Sequence, residues 1–357
     1  MRYFITHIAP KEKILEYKVS SAACNFCYNL ISGKGFDKIF SILPSNVKGI
    51  KDFTKESDVE YIYSSLRWKG PILSKFALIF ENFSLFRKIE SDSSIWLYNL
   101  AKINLWLVIL LHIFKPSVKI NVIVLDFTPG NKYSKLFLKY INKCHGRILL
   151  ANSPLFNKDN SVILPGVTPN SNIDYPTITE IKKEFLISGV LSENISMLTM
   201  LLESFSKMPH LTLHITGTID NDTIIKKYSS KYENIKYHGC VPYNEYLNIL
   251  HDTPFLLSTR NPEFPENQCN FPSKIIEALL HNRIIISTLH YEQLNGINYF
   301  EVPSDKKGFI KEIESIASSP SNKLLEYANQ SVLVKEMFNT GVWNNKMKEI
   351  ESYENGI

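Results

Sequence analysis

The fold of this chain is decided by the stretch NFPSKIIEALL at residues 270–280, which is followed by RIIIST at residues 283–288. Pro272 suits a helix start, because the first N–H groups of a helix have no partner within the helix and a proline, which lacks an N–H, loses nothing there. Ser273 can cap the first N–H groups, and Lys274 adds positive charge to an end that already attracts anions. Glu277 lies one turn after Lys274 on the same face. The apolar run then predicts a buried parallel strand. The helix start is therefore a candidate seat for a phosphorylated, hydroxyl-bearing ligand.

The composition indicates an ordinary globular protein with two domains. A chain of 357 residues is longer than a domain with one ordinary hydrophobic core, and its length suits two domains of roughly 150–180 residues. Hydrophobic residues make up 44% and charged residues 21%, which argues against disorder. The net charge of +5 comes from scattered Lys and Arg, so nucleic acid is not an expected partner. Five irregularly spaced cysteines favour reduced thiols in a cytosolic setting.

Hydrophobic segments of this chain do not predict a membrane span. The first residues lead directly into a strand pattern, and Lys11 and Lys13 interrupt any apolar run of a secretory signal. The most apolar segment, residues 103–114, is shorter than the roughly 20 residues that a spanning helix needs. A buried helix is the first interpretation, and an interfacial helix on membrane lipid is the alternative. We expect a cytoplasmic protein, with peripheral contact to the inner membrane surface left open.

Strand and helix patterns alternate along both halves of the chain. This alternation predicts βαβ units and parallel sheets, hence an α/β protein of two Rossmann-like doubly wound domains that face a cleft. The middle of the chain is rich in Pro, Asn and Ser, which indicates a linker. We predict a first Rossmann-like domain, a linker, a second Rossmann-like domain and a C-terminal helix that crosses back to the first domain, at residues 1–168, 169–182, 183–340 and 341–357.

Ligands of doubly wound sheets gather at the carboxyl ends of the strands. In the first half, polar side chains at such ends are Ser21, Asn99 and Asp126, and His7 lies near the end of the first strand. Asp126 follows an apolar strand directly, so it points into the crevice or serves as a turn or N-cap residue. The pair Cys24-x-x-Cys27 lies on a helical pattern without a second ligand pair, and predicts a half-buried helix face.

Three features of the second half are able to bind an anion and are predicted to lie close together. A strand leads into a loop at residues 189–194, where Gly189 offers backbone N–H groups. Arg260 ends another strand, on the same side of the sheet as the helix that begins at Ser273. Each of these features alone can be explained as a helix cap or a solvated charge. Only their predicted position close to one another favours a ligand site.

Three segments of the second half resemble a known family. The sequences YHGCVP at 237–242, LLSTR at 256–260 and FPSKIIEAL at 271–279 resemble the donor-binding domain of GT-B glycosyltransferases. The resemblance is to the family 4 type found in bacterial capsule and O-antigen synthesis. It implies a hexosyltransferase-like enzyme, retaining and metal-independent, that takes a nucleotide diphosphate sugar as donor substrate and uses no further cofactor. The implied acceptor is a saccharide or lipid-linked saccharide.

The resemblance also implies residue roles. Glu277 would take the ribose hydroxyls of the donor, and the backbone around Gly239 to Val241 would hold the base. The diphosphate would be held by Ser273, Lys274 and the Gly189 loop, with Arg260 supplying charge from the neighbouring strand. Fixed cations and N–H dipoles stabilise the charge that develops on the departing nucleotide diphosphate. Asp126 is the candidate for contacting the acceptor hydroxyl or acting as base, with Ser21 and Asn99 on the acceptor side.

The sequence departs from the family 4 pattern in several places. The first glutamate expected eight positions before Glu277 is Cys269, and Glu263 or Glu266 is the candidate replacement. The Gly expected after the signature helix is Asn282, which tolerates the left-handed conformation. These changes leave two alternatives open. They are a non-catalytic sugar-nucleotide-binding subunit and a GT-B-fold nucleotide-sugar epimerase.

Overall fold

A computed structural model describes the chain apart from residues 15, 18, 44–57, 171–173, 220–221 and 354–357. The chain divides into two compact units, residues 1–170 with 338–357, and residues 171–337. Parts of the predicted linker at 169–182 and of the predicted terminal segment at 341–357 lie outside the described residues. Within the ranges that are described, no helix has the length and apolarity that crossing a membrane requires.

The first unit is built on a seven-stranded parallel sheet. Its strands are β1 (Arg2–Thr6), β2 (Lys38–Ile42), β3 (Val59–Ile62), β4 (Ser94–Tyr98), β5 (Lys119–Val124), β6 (Gly146–Leu149) and β7 (Ser161–Ile163). Its helices include α1 (Ser21–Ser32), α2 (Pro71–Lys88), α3 (Leu105–Phe114) and α4 (Ser134–Lys143), with single 3-10 turns at Lys11–Lys13 and Ser65–Trp68.

The second unit is built on a six-stranded parallel sheet. Its strands are β8 (Glu184–Leu191), β9 (Thr212–Ile219), β10 (Ile235–Gly239), β11 (Phe255–Ser258), β12 (Ile284–Ser287) and β13 (Phe300–Glu301). Its helices include α5 (Glu193–Ser196), α6 (Leu198–Phe205), α7 (Thr223–Lys231), α8 (Tyr243–Asp252), α9 (Lys274–Leu280), α10 (Lys306–Ala317), α11 (Ser321–Leu325) and α12 (Ser331–Phe338), with a 3-10 turn at Glu292–Leu294.

Both sheets have the Rossmann strand order. The first runs β3-β2-β1-β4-β5-β6-β7 and the second β10-β9-β8-β11-β12-β13, and neighbouring strands pair in parallel throughout. The order reverses beside β1 in the first sheet and beside β8 in the second, where a crevice opens at the carboxyl ends of the strands. The prediction of two Rossmann-like parallel-sheet domains is confirmed.

The last helix, α13 (Thr340–Ser352), belongs to the first unit. The indole N–H of Trp343 donates to the Gly166 carbonyl at 2.8 Å. The Glu351 carboxylate accepts from Nε of Arg2 at 2.7 Å, from Trp96 Nε1 at 2.7 Å and from Ser94 Oγ at 2.8 Å. Although burial opposes the charged form, these donors lower the pKa of Glu351. The half-buried carboxylate therefore ties the C-terminal helix to the starts of β1 and β4.

One strand is longer than the sequence predicts, which corrects the assignment of Gly189 to a loop. Strand β8 continues to Leu191 and pairs with β9 residue for residue, Gly189 opposite Gly217. A Cβ atom on Gly217, whose φ is +137°, would lie 2.0 Å from the Gly189 carbonyl oxygen. The ladder continues because two glycines face each other, so the Gly189 N–H lies in a strand and not in an anion-binding loop.

Helix starts and breaks also differ from the sequence prediction. The helical pattern that follows β8 is divided into α5 and α6 by Met197, which has a left-handed φ of +51°. The helix in the apolar segment 103–114 begins at Leu105. Ser273 makes no side-chain capping hydrogen bond, because its backbone is already helical, with φ −56° and ψ −24°. An N-cap residue instead has extended backbone that turns its side chain onto the first N–H groups.

The Gly217–Gly189 contact yields a stability prediction. We expect Gly217→Ala to lower the free energy of unfolding by about 2–4 kcal/mol, since the methyl group adds a steric clash to left-handed strain. Gly296→Ala is the matched control, because Gly296 has a φ of +94° but no heavy atom within 4 Å of its Cβ position. That control should cost about 1 kcal/mol. Equal losses for both variants in urea titrations would contradict the close-approach explanation.

Candidate functional site

Glu277 lies at the centre of a polar cluster between α8 and α9 in the second unit. Its Oε1 accepts from the Tyr243 hydroxyl at 3.1 Å, and its Oε2 accepts from the Tyr246 hydroxyl at 3.0 Å. Lys274 Nζ donates to the same Oε2 at 2.6 Å. Two helices that follow different strands therefore present three donors to one carboxylate.

The charge of Lys274 is shared between two neighbours. Besides its ion pair with Glu277, the ammonium lies 4.1 Å from the centroid of the Tyr246 ring, within the range of a cation–π contact. The Lys274 side chain keeps 36% of its surface exposed, so the cation is also open to solvent. The ammonium group can thus contact an anionic ligand on its solvent side while it keeps its ion pair with Glu277.

The two tyrosines act as neutral hydrogen-bond donors. Burial raises the pKa of Tyr246, and the negative charge of Glu277 raises it further. The same two causes raise the pKa of Tyr243. Tyr246 is buried, whereas Tyr243 is 54% exposed. The carboxylate therefore has one fixed hydroxyl donor and one donor at the surface that a ligand hydroxyl can replace.

The far ends of the same two helices are joined by a histidine pair. His251 Nε2 lies 2.8 Å from His281 Nδ1. Burial, and to a smaller extent the neighbouring His251, lower the pKa of His281 to about 4, so His281 is neutral near pH 7. Asn282, directly after it, has the left-handed φ of +64° that the sequence predicts. This end of the helix pair holds α9 in position.

Arg260 lies at the end of β11, as the sequence predicts, and is held by its surroundings. Its Nη1 donates to Asn267 Oδ1 at 3.0 Å, and its backbone exchanges hydrogen bonds with Thr288 Oγ1 at 2.6 and 2.7 Å. Asn267 is buried and donates to the carbonyls of Ile195 and Asn261. The loop after β11 therefore fixes the guanidinium beside α5.

The segment after β10 contains the predicted base-binding backbone. Gly239 has a φ of +71°, and its carbonyl accepts from Thr216 Oγ1 at 2.8 Å. Val241 follows, half-buried, and leads into Tyr243 at the start of α8. In the loop after β11, Cys269 is buried, Glu266 is half-buried and Glu263 is exposed. Val241 therefore lies two residues before Tyr243, whose hydroxyl contacts Glu277.

The sequence analysis named two members of this cluster, Glu277 and Lys274, but not the other two, Tyr243 and Tyr246. Their spacing of three on a helix is a usable signal, since it puts both hydroxyls on one helix face. What a single sequence lacks is the information that this face meets α9. Among the described residues, no group of three or more His, Cys, Asp or Glu is arranged to hold a metal ion.

In the first unit, predicted residues meet where the sheet order reverses. Asn99 ends β4 with a left-handed φ of +55°, and its Oδ1 accepts from the N–H groups of Leu125 at 2.7 Å and Asp126 at 3.4 Å. Asp126 is exposed and close enough to raise the pKa of Tyr98 electrostatically, in addition to the larger effect of burial. Asn99 therefore places Asp126 at the carboxyl edge, and its own amide oxygen is used in doing so.

Two further predicted residues belong to this unit. Ser21 is exposed at the first position of α1, and the capping oxygen there is that of Ser20, which accepts from the Ala23 N–H at 3.3 Å. His7 follows β1, with its ring centroid 4.9 Å from that of Tyr98. Its Nδ1 is buried and has no hydrogen-bond partner within the described part of the chain. Cys24 and Cys27 are buried free thiols on α1, as expected for a helix face.

Comparisons with known proteins identify the fold. No family model and no curated protein matches this chain. Among solved structures, the α,α-trehalose 6-phosphate synthase of Burkholderia multivorans has a TM-score of 0.63 at 8% identity, over 98% of this chain and 96% of that chain. A trehalose-6-phosphate structure from E. coli bound with UDP-2-fluoro glucose has a TM-score of 0.66 at 9% identity, over 99% of this chain and 100% of that chain. TarM has a TM-score of 0.55 at 14% identity, over 77% of this chain and 58% of TarM. The chain has the GT-B fold.

His7, which is half-buried and whose Nδ1 is buried, yields a prediction about pH. Burial lowers the pKa of His7 to about 4, so the unfolded chain binds a proton below about pH 6.5 that the folded chain does not bind. Stability is therefore present above pH 6.5 and is lost as the pH falls toward 4. From pH 7 to pH 5 we expect a loss of about 2 kcal/mol from this group.

Urea titrations of the wild type and His7→Asn at both pH values test this. The variant cannot take up the proton, so its free energy of unfolding should fall less between pH 7 and pH 5 than that of the wild type. An equal fall in the two proteins would show that His7 does not carry the effect.

Proposed function

We propose that the protein is a glycosyltransferase that moves a sugar from a nucleotide diphosphate sugar to an acceptor hydroxyl. The observation that carries the proposal is the Glu277 carboxylate, which accepts from two tyrosine hydroxyls and from Lys274 at the start of α9. A carboxylate that already binds hydroxyl donors, beside a partly exposed cation, suits a ligand with paired hydroxyls next to a diphosphate. The GT-B fold supports this reading by analogy.

The donor would be held by side chains of the second unit. Glu277 would accept from the ribose hydroxyls, one of which takes the place of the exposed Tyr243 hydroxyl. Lys274, the Ser273 hydroxyl and Arg260 would bind the diphosphate and stabilise the negative charge that it gains as the glycosidic bond to the sugar breaks. The backbone at Val241 would hold the base, because it lies two residues before Tyr243. Gly189 would line the site only through its strand backbone.

The acceptor would be held by the first unit. Asp126, exposed beside Asn99 at the carboxyl edge of the sheet, would contact the acceptor hydroxyl, with Ser21 further along this edge. In a retaining reaction the departing diphosphate can take the proton of the acceptor hydroxyl, so Asp126 would orient the acceptor. In an inverting reaction Asp126 would take that proton as base. We favour the retaining, hexosyltransferase-like course.

We extend the proposal to a cellular role. The resemblance to family 4 enzymes supports bacterial surface polysaccharide synthesis, with a saccharide or lipid-linked saccharide as acceptor. Donor binding would be metal-independent, because Lys274 and Arg260 supply the charge that a divalent cation would otherwise provide, and no resident cofactor would be needed. Titration with UDP and then GDP is the first experiment on nucleotide identity.

Replacing Glu277 tests the donor site. We expect Glu277→Gln to weaken UDP binding about ten-fold or more, since hydrogen bonds to a charged carboxylate are lost. Calorimetric titration measures the affinity, and Glu233→Gln is the control, because Glu233 is an exposed glutamate in the turn before β10. Unchanged affinity in Glu277→Gln, with the control also unchanged, would remove Glu277 from the site.

Replacing Asp126 tests the acceptor side. We expect Asp126→Asn to lower turnover about 100-fold with UDP affinity retained, because the carboxylate would act only on the acceptor hydroxyl. Transfer to an acceptor panel from labelled nucleotide sugars measures turnover. Binding without transfer in the wild type would favour the sugar-nucleotide-binding subunit, and interconversion of the free nucleotide sugar would favour the epimerase.

A further inference from the structure

The first unit carries a large apolar face on α2 and α3. We define this apolar face by its exposed side chains. They are Ile72, Leu73, Phe76, Phe80, Phe83, Trp106, Ile113 and Phe114, each between 40% and 70% exposed. On α2 they recur every three or four residues, so they form one stripe along the helix. Contiguous exposed apolar surface of this kind marks an interaction site.

Helices α2 and α3 form one continuous surface. The buried Asn82 amide of α2 donates to the Ile103 carbonyl at 2.8 Å and accepts from the Leu107 N–H at 2.9 Å. At the other end, the rings of Phe86 and Phe114 lie 6.2 Å apart in an edge contact. Helix α3 is therefore held at both of its own ends against the C-terminal half of α2, and the two apolar stripes cannot separate without breaking these contacts.

A row of lysines lies next to this apolar face. Lys135, Lys139 and Lys143 are exposed on α4 at helical spacing, and we call them the lysine row. Helix α4 packs beside α3 through His112 and Tyr140, whose ring centroids are 6.0 Å apart. Helix α3 thus has the α2 stripe on one side and the lysine row on the other.

The charge of the chain is divided unevenly between its two units. Residues 1–170 and 338–357 contain 25 Lys and Arg against 15 Asp and Glu, whereas residues 171–337 contain 15 against 20. Between residues 93 and 158 there are nine basic residues and a single acidic one, Asp126. The net positive charge therefore lies on the unit with the apolar face, and is densest in the segment that includes α3 and α4.

We propose that the apolar face and the lysine row together dock the first unit on an anionic lipid bilayer. Apolar side chains enter the boundary between headgroups and acyl chains, while lysines beside them remain at the level of the anionic headgroups. A neutral partner would not require the basic charge, and an acidic protein would not require so many exposed aromatic rings. The combination of both is what a negatively charged bilayer surface binds.

Flotation of the full-length protein with vesicles tests this directly. The protein should float with vesicles of phosphatidylcholine and phosphatidylglycerol, and far less with phosphatidylcholine alone. Phe76→Gln/Phe80→Gln should lower the partition coefficient about ten-fold or more, through lost apolar insertion. Lys135→Glu/Lys139→Glu should lower it about ten-fold or more as well, and raised salt should weaken binding of the wild type.

Matched controls come from the second unit. Lys307→Glu/Lys311→Glu on α10 makes the same charge change at the same spacing, and Val332→Gln/Leu333→Gln on α12 removes exposed apolar side chains. Both should bind vesicles like the wild type. Far-ultraviolet circular dichroism and thermal melts establish that each variant is folded.

Three results would overturn the proposal. One is equal binding to neutral and anionic vesicles, and another is equal binding of the wild type and Phe76→Gln/Phe80→Gln. The third is a dimer in light scattering without lipid that Phe76→Gln/Phe80→Gln dissociates, since a second copy would then cover the apolar face. Vesicle binding does not depend on sugar transfer, so this test can fail while the proposed enzymatic function holds.

Discussion

The backbone hydrogen bonds of two all-parallel sheets are the constraint on which the rest of this structure depends. Parallel strands need crossover helices, and the helices cover both sheet faces, so strands such as Ile284–Ser287 are buried throughout. The same constraint sends every strand in one direction, which brings all carboxyl ends to one edge of each sheet. Asp126 in the first unit and Arg260 in the second lie at such edges because of chain direction alone.

Within the second unit, the order of the paired strands decides which polar side chains come into contact. The crossover from β10 to β11 and the helix after β11 lie side by side, so Tyr243 and Tyr246 reach Glu277. One carboxylate is then stabilised by two hydroxyls and an ammonium. The buried Tyr246 fixes the position of the carboxylate, whereas the exposed Tyr243 leaves one of its oxygens accessible to a ligand. This combination of a fixed acceptor and a replaceable donor is what makes the cluster suitable for a ligand rather than only for stability.

The two units also differ in what they offer to their surroundings. The first has a surplus of basic residues and a broad apolar face, and the second has a surplus of acidic residues. A donor site in an acidic unit needs local cations to hold a diphosphate, which is the role proposed for Lys274 and Arg260. A basic, apolar first unit is suited to a lipid surface, where a lipid-linked acceptor would also be found. The two proposals are chemically consistent but rest on separate observations.

The sequence by itself determined the order of strands and helices, and with it the two Rossmann-like units, because hydrophobic period and turn residues act locally. The spacing of three placed Lys274 and Glu277 on one face of a helix, where they form an ion pair. Only the tertiary structure decided that Tyr243 and Tyr246, more than 30 residues from Glu277, complete its cluster. It also decided that Gly189 extends β8 rather than forming a loop, since that depends on Gly217 in the neighbouring strand. Local patterns specify elements, whereas contacts between distant segments depend on how those elements pack, and a single sequence does not record that packing.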